Sequence, residues 1–426
     1  MNDSFLESAK PATTWHLTAH RLSKIGRRFL LIWERPMAGF LVALVIYSIF
    51  SLSKGPLWRS SEFPYFNYLA DAFLHGQLNL RTVPARVLDL SFFNGKYFLY
   101  WSPMPAVLLM PFVAVFGVRF SDVAFTLVIA AVNVGLVAQL LRQARLKRVI
   151  KTNRQRRGIL VMFFALGTVH ITLSPLGRVW LTSQLTAVMF VALAYLCAVR
   201  FEGLRAFLLV GLSLTAAMLT RNHLIFAGVW PALYLIHKHR YVDWRTQIRF
   251  FAAGIAPILI GLGLLGAYNW MRFGNPFDNG ISHHLMNRAF VADYRQYGYF
   301  NIHFIPINLF YQYVAYPFPL RSTSTMGGSL FLMSPLFFAA FWAMKKANRN
   351  WSTWALLGTI FLVSIPILLL MGTGWIQFGP RYTLDFTVPL LLLTAIGSQK
   401  WKVPLMVGLT LISIVHYFIG TVVLML

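Results

Sequence analysis

Carboxylates are scarce in this chain. Only 12 of its 426 residues are Asp or Glu, against 38 Lys and Arg, and charged residues of both signs make up 12% of the total. A soluble domain carries roughly twice that charged fraction, so the shortage argues against a soluble protein. Cysteine is nearly absent too. Cys197 stands alone in an apolar run, which excludes a disulfide within the chain and any multi-cysteine metal site, and leaves a buried, inert thiol. The short alternating segments of a membrane β-barrel are missing. Residues 1–36 are polar and basic, without a short apolar core and small-residue cleavage site, so no cleavable leader is expected.

What the chain has instead is apolar residues, 58% of the total, gathered in runs of about 18–25, the length that crosses a bilayer as a helix. The expected fold class is therefore an all-α polytopic membrane protein. The net charge is +26, but the bases cluster in short loops between apolar runs. That is the positive-inside pattern and not a nucleic-acid motif.

Placing the basic stretches inside orients the whole chain. A basic segment with Arg21, Lys24, Arg27, Arg28 and Arg35 forms a cytoplasmic N-terminal part, 1–36, suited to a short amphipathic helix. Spans are expected near 37–53, 120–141, 158–175, 181–199, 204–219, 223–236, 250–271, 326–344, 352–371, 384–398 and 403–424, about 11 in all, within a single membrane domain over 37–424 and with no soluble C-terminal domain. "PMPAVLLMPFVAVFG" resembles a span but is too short. About 14 helical residues cover ~20 Å, below the ~30 Å core, and three prolines interrupt it. It is expected to lie at the outer surface. Counting it as a span would also turn "RQARLKRVIKTNRQRR" outward, against the charge rule. Two long outer loops result, 54–119 with juxtamembrane helices and 272–325, and long loops in compact proteins tend to carry function. No internal repeat is evident.

The outer side holds Glu62, Asp71, Asp89, Asp278, Asp293 and Asp385, with Asp122 opening a span, together with bases that include Arg59, Arg81, Arg86, Arg178, Arg221, Arg272 and Arg381. A carboxylate can take a proton from an attacking hydroxyl, and arginines can clamp a phosphate leaving group bidentately.

Several segments, in order and on one face, resemble the GT-C superfamily of membrane glycosyltransferases, in particular bacterial relatives of the dolichyl-phosphate-mannose-dependent mannosyltransferases. "SSEFPYFNYLADAFLHGQLNL" is similar to that family's first outer loop, where an acidic pair precedes an aromatic helix. "NGKYFLYWSPMPAVLLMPFVAVFG", "LTRNHLIF", "YNWMRFGNPFDNGIS", "GGSLFLMSPLFF" and "GWIQFGPRYTLDFTVP" resemble later family elements, over roughly 37–400. Ser61 stands where the family commonly has Asp, next to Glu62, and "PMP" replaces "PPG". The resemblance implies a transfer of a sugar from a polyprenyl-phosphate donor to a hydroxyl on a lipid, glycan or protein. The reaction would be inverting, on the extracytoplasmic side of a bacterial inner membrane.

On that basis Glu62 is the first candidate base, with Asp71 and Asp89 as further acids. A helix over 63–74 would put Glu62 and Asp71 on different faces, and Asp71 can pair with Arg81 or Arg86 instead. Arg221, Arg381 and Arg272 are candidates for the donor phosphate, although Arg272 within "RFG" also reads as part of a turn. Tyr65, Tyr97, Tyr382, His283 and His284 are candidate substrate contacts. Trp101 and Trp375 could stack on sugar, against the interfacial belt that explains most such aromatics. His170, alone in a span, reads as a satisfied core histidine. Sparse outer acids argue against an all-protein metal cage. No cofactor is assigned, and the resemblance leaves a divalent cation open. Two other function classes stand beside the enzyme: a non-catalytic partner subunit, which Ser61 favours, and a transporter or flippase of lipid-linked sugars, which the near-absence of mid-span acids disfavours.

Overall fold

The computed structural model describes residues 26–345, 351–372, 374 and 376–425. The N-terminal bases Arg21 and Lys24, and Trp375, lie outside the described residues. The chain is mostly helical. A short helix α1 (Gly26–Trp33) meets α2 (Pro36–Leu52) at 98°, with Pro36 opening the second helix, where its missing N–H costs nothing. The first large loop carries α3 (Tyr65–Leu74), a hairpin of β1 (Ser91–Phe93) and β2 (Lys96–Phe98), and α4 (Met104–Phe116). The hairpin pairs Ser91 with Phe98 and Phe93 with Lys96. The 13-residue α4 packs along α3.

Then follow α5 (Asp122–Leu146), α6 (Arg154–Leu166), the single turn α7 (His170–Leu173), α8 (Val179–Arg200) and α9 (Gly203–Met218). Next come α10 (Val229–Lys238) and α11 (Trp244–Phe273). The second loop contains α12 (Arg288–Tyr297) and α13 (Ile305–Leu309). The chain closes with α14 (Leu330–Met333), α15 (Ala339–Lys345), α16 (Trp351–Leu369), α17 (Thr387–Gly397) and α18 (Val403–Met425).

Among the described residues five helices, α5, α8, α11, α16 and α18, are long and apolar enough to cross a membrane, and the bent pair α1–α2 makes a sixth. The protein is an integral membrane protein by this measure. The expected count of 11 spans is not reproduced. Each remaining apolar stretch folds as a shorter or broken helix. Residues 158–175 divide into α6 and α7, 223–236 begin as a 3-10 helix (Asn222–Gly228) before α10, and 326–344 contain α14, a 3-10 turn at Pro335–Phe338 and α15. Hydropathy measures a run of apolar residues, not an unbroken helix. Gly167, Gly228 and Pro335 interrupt these runs, and the 11 residues of α17 would rise only about 16 Å.

Burial grades across the bundle. Helix α8 is nearly enclosed, whereas α11 is almost entirely unburied and presents Ile255, Leu259, Ile260 and Leu264 outward, the signature of a lipid-facing helix. His170 is buried in the core with its Nδ1 3.1 Å from the Tyr47 hydroxyl, and Cys197 is a buried free thiol. Close approach of helices depends on small residues. A Cβ on Gly397 of α17 would fall 1.7 Å from the Ala339 carbonyl oxygen of α15, and one on Gly211 of α9 would fall 2.2 Å from that of Gly254 on α11.

Gly397→Leu should therefore prevent recovery of monodisperse folded protein in detergent, while Gly408→Leu, where nothing lies within 4 Å, should leave size-exclusion behaviour and thermal unfolding unchanged.

Candidate active site

The loop after α2 is tied down before it reaches Glu62. Arg59 donates through Nη1 to the carbonyls of Ser51 (3.0 Å) and Gly55 (2.7 Å), a cation placed on the C-terminal end of α2. Ser121 accepts from Ala124 N–H as the N-cap of α5 while its hydroxyl donates back to Leu57 and Arg59 carbonyls. Ser61 then latches onto Asp122, the first residue of α5. Its N–H donates to Oδ1 at 2.7 Å and its hydroxyl donates to Oδ2. The N–H of Arg178 joins them, 3.1 Å from the Ser61 hydroxyl and 3.3 Å from Asp122 Oδ2. Asp122 is thus a buried carboxylate at a helix N-terminus, where the dipole favours negative charge.

Glu62, one residue on, turns outward into a cavity of about 780 Å³. Its side chain is 54% exposed and lies 3.5 Å from Arg178 Nη2 and 3.7 Å from Arg86 Nη2. The wall beside it is aromatic. Trp101 stacks on Tyr100 at 3.8 Å and Trp180 meets Trp101 edge-on. Asp89, held at φ +64°, accepts from Trp180 Nε1 at 2.9 Å and lies 2.9 Å from His284 Nε2. Burial raises the Tyr100 and Tyr299 phenols well above their usual range, so both stay protonated and able to donate.

The facing wall comes from later in the chain. Arg221, between α9 and the 3-10 helix that follows, places Nε and Nη2 3.1 and 3.0 Å from Asp385 Oδ2, and His223 Nε2 sits 2.9 Å from the same oxygen. The Asp385 side chain is fully buried. Its segment, Arg381–Phe386, is set by a short parallel pair of β3 (Met326–Gly327) and β4 (Gln377–Phe378). Gln377 Oε1 accepts the Arg381 N–H at 3.1 Å, and Gln184 of α8 donates to the Arg381 carbonyl at 2.9 Å. Both guanidiniums lie over the Tyr382 ring, Arg381 at 4.9 Å and Arg221 at 5.7 Å. The Arg381 Nε is buried with no hydrogen-bond partner among the described residues.

Six residues expected at the site line this one cavity: Glu62, Asp89, Arg221, Arg381, His284 and Tyr382. Five others lie away from it. Asp71 pairs with Arg81 at 3.2 Å, on a different face of the loop from Glu62. Arg272 is buried, donating to the carbonyls of Leu99 and Tyr268 and to Asn269 Oδ1, so it ties the end of α11 to the segment after β2. Tyr65 is buried and donates to the Leu88 and Arg86 carbonyls. Tyr97 packs on Phe92 within the hairpin. His283 sits against Phe93, 3.4 Å from Asp278, because adjacent residues 283 and 284 diverge. Trp180 and His223 were not singled out from the sequence, and Arg178 stood there only among the outer bases, without a site role. Gly177 before Arg178, and an acid inside the apolar run "TLDFTVP", were the available signals for the partners of Glu62 and Arg221. Among the described residues no group of three or more His, Cys, Asp or Glu gathers as a metal would need.

Two solved structures share this architecture. ArnT from Cupriavidus metallidurans in the apo state superposes with a TM-score of 0.54 at 14% identity, over 88% of this chain and 61% of that one. The same protein bound to undecaprenyl phosphate gives 0.50 at 13% identity, over the same shares. The chain shares the fold of ArnT. The Archaeoglobus fulgidus oligosaccharyltransferase tethered with an acceptor peptide gives a TM-score of 0.43 at 14% identity, over 91% of this chain and 54% of that one. No family model and no curated protein matches the chain. The chain spans about three-fifths of the ArnT structures it matches.

Within this helical body, removing a buried carboxylate leaves its cations uncompensated. Asp385→Ala should cost about 3 kcal/mol or more, read as a marked drop in thermal unfolding temperature in detergent. Asp71→Ala, at a partly exposed pair, should cost under about 1 kcal/mol in the same measurement.

Proposed function

We propose that this protein transfers a sugar from a polyprenyl-phosphate-linked donor to a hydroxyl acceptor, with inversion, on the extracytoplasmic face of a bacterial inner membrane. The observation that carries the proposal is the pairing, in one 780 Å³ cavity, of an accessible carboxylate, Glu62, with the buried Arg381 guanidinium whose Nε is unpartnered among the described residues. The size is in the range of small-molecule sites, about 300–1,000 Å³. The fold shared with ArnT, which has been solved with undecaprenyl phosphate, supports the donor class.

The geometry suits the following roles. The acceptor hydroxyl gives its proton to Glu62 as its oxygen attacks the anomeric carbon. The bond from that carbon to the phosphate oxygen breaks, and the electron pair leaves with the polyprenyl phosphate. Arg381, with Arg221 across the Tyr382 ring, meets the charge that develops there. Arg221 is held in place by Asp385, so its contribution is directional. The contacts of Arg86 and Arg178 to Glu62 are long and half-exposed, hence weak, and orient the carboxylate without sequestering it from an acceptor. Asp89 is held by Trp180 and His284 and serves to shape the acceptor side.

The test is transfer by protein in nanodiscs from a panel of radiolabelled polyprenyl-phosphate sugars to a lipid extract of the native host, with and without EDTA. Glu62→Gln should lower the rate by about 10²–10⁴, and Arg381→Ala should lower it with the protein still folded. An unchanged rate in Glu62→Gln would move the base to Asp89. No transfer from any donor would reject the enzyme and return the partner-subunit or flippase reading.

A further inference from the structure

A second cavity, of about 440 Å³, is lined by Glu34, Arg35, Arg142, Arg145, Leu146, Arg154 and Arg157. Five arginines face one glutamate, and that glutamate is already engaged. Glu34 is buried and lies 2.6 Å from Arg157 Nη2 and 3.4 Å from Arg154 Nε. Arg145 donates through Nε to the Thr152 carbonyl. The guanidinium groups of Arg35 and Arg142 have no hydrogen-bonding or ion-pairing partner among the described residues. The cavity therefore has a buried, ion-paired floor and a rim of uncompensated positive charge.

Its place in the bundle narrows the ligand. Helix α5 begins at Asp122, beside the Glu62 loop, and reaches Arg142 twenty residues later, a rise of about 30 Å, which is the thickness of the hydrocarbon core. The two cavities thus occupy opposite membrane boundaries. Beside the second one, Leu146 is exposed, and α1, turned 98° from α2, exposes Phe29 and Ile32. A cationic cavity next to outward apolar side chains at a headgroup level matches a molecule with a phosphate and acyl chains better than a free anion.

We propose that this cavity is a binding site for the phosphate headgroup of an anionic phospholipid, on the membrane face opposite the candidate active site. Arg35 and Arg142 contact the phosphate, and the Glu34–Arg157 pair holds the floor.

Native mass spectrometry of the full chain in detergent tests it, with phosphatidylglycerol, phosphatidylcholine and inorganic phosphate as probes. Phosphatidylglycerol should be retained over phosphatidylcholine by about tenfold or more, the order that two arginines facing an anionic headgroup supply. R35Q/R142Q should lose that preference, R142Q alone should lose part of it, and R245Q/R249Q, which removes equal charge from α11, should keep it. Equal retention of both lipids by the wild type would overturn the proposal. So would unchanged preference in R142Q and R35Q/R142Q, or equal loss in R245Q/R249Q. Displacement of phosphatidylglycerol by an equal concentration of inorganic phosphate would reassign the cavity to a free anion and overturn the lipid assignment.

Discussion

The hydrogen bonds from Ser61 to the Asp122 carboxylate hold the site together. They join the loop after α2 to the first turn of α5, and the N–H of Arg178 ties the start of α8 into the same carboxylate. Three elements distant in sequence meet at one buried acid. Glu62 leaves that junction as the next residue, so its position in the cavity is inherited from its neighbour's anchoring. The Arg178 side chain, whose backbone belongs to the latch, then reaches Glu62 from the other side.

Several of the few acids are buried and engaged. Burying a carboxylate in a membrane body is costly unless donors or cations meet it. Asp122 has backbone and hydroxyl donors, Asp385 has Arg221 and His223, Glu34 has Arg157, and Asp89 has Trp180 and the His284 ring. Each serves as a joint between elements. Glu62 differs in being more than half exposed within the cavity. Basic residues divide in the same way. Arg272 and Arg157 are structural, while Arg381, Arg35 and Arg142 retain donors for something else.

Much of this was legible along the chain. Apolar runs and basic loops located many of the helices, and the glycine of "RFG" marked the end of α11. The breaks within the apolar runs were not legible, because Gly and Pro divide several of them into short helices whose combined hydropathy looks continuous. Nor was the relation of Ser61 to Asp122. Ser61 stands where a carboxylate was expected, and its hydroxyl instead holds a carboxylate supplied from 61 positions away.

The sequence by itself determined that this is a helical membrane protein with a charge asymmetry and a short set of candidate polar residues, since hydropathy, charge placement and residue chemistry are local properties. Which of those residues share a cavity was decided only by the tertiary structure. Glu62 and Asp71 are nine residues apart and serve different places, while Glu62, Arg221 and Arg381 come from three distant segments and line one space. Helix packing brings distant segments together through small-residue contacts and buried hydrogen bonds, and no local pattern in the chain records those pairings.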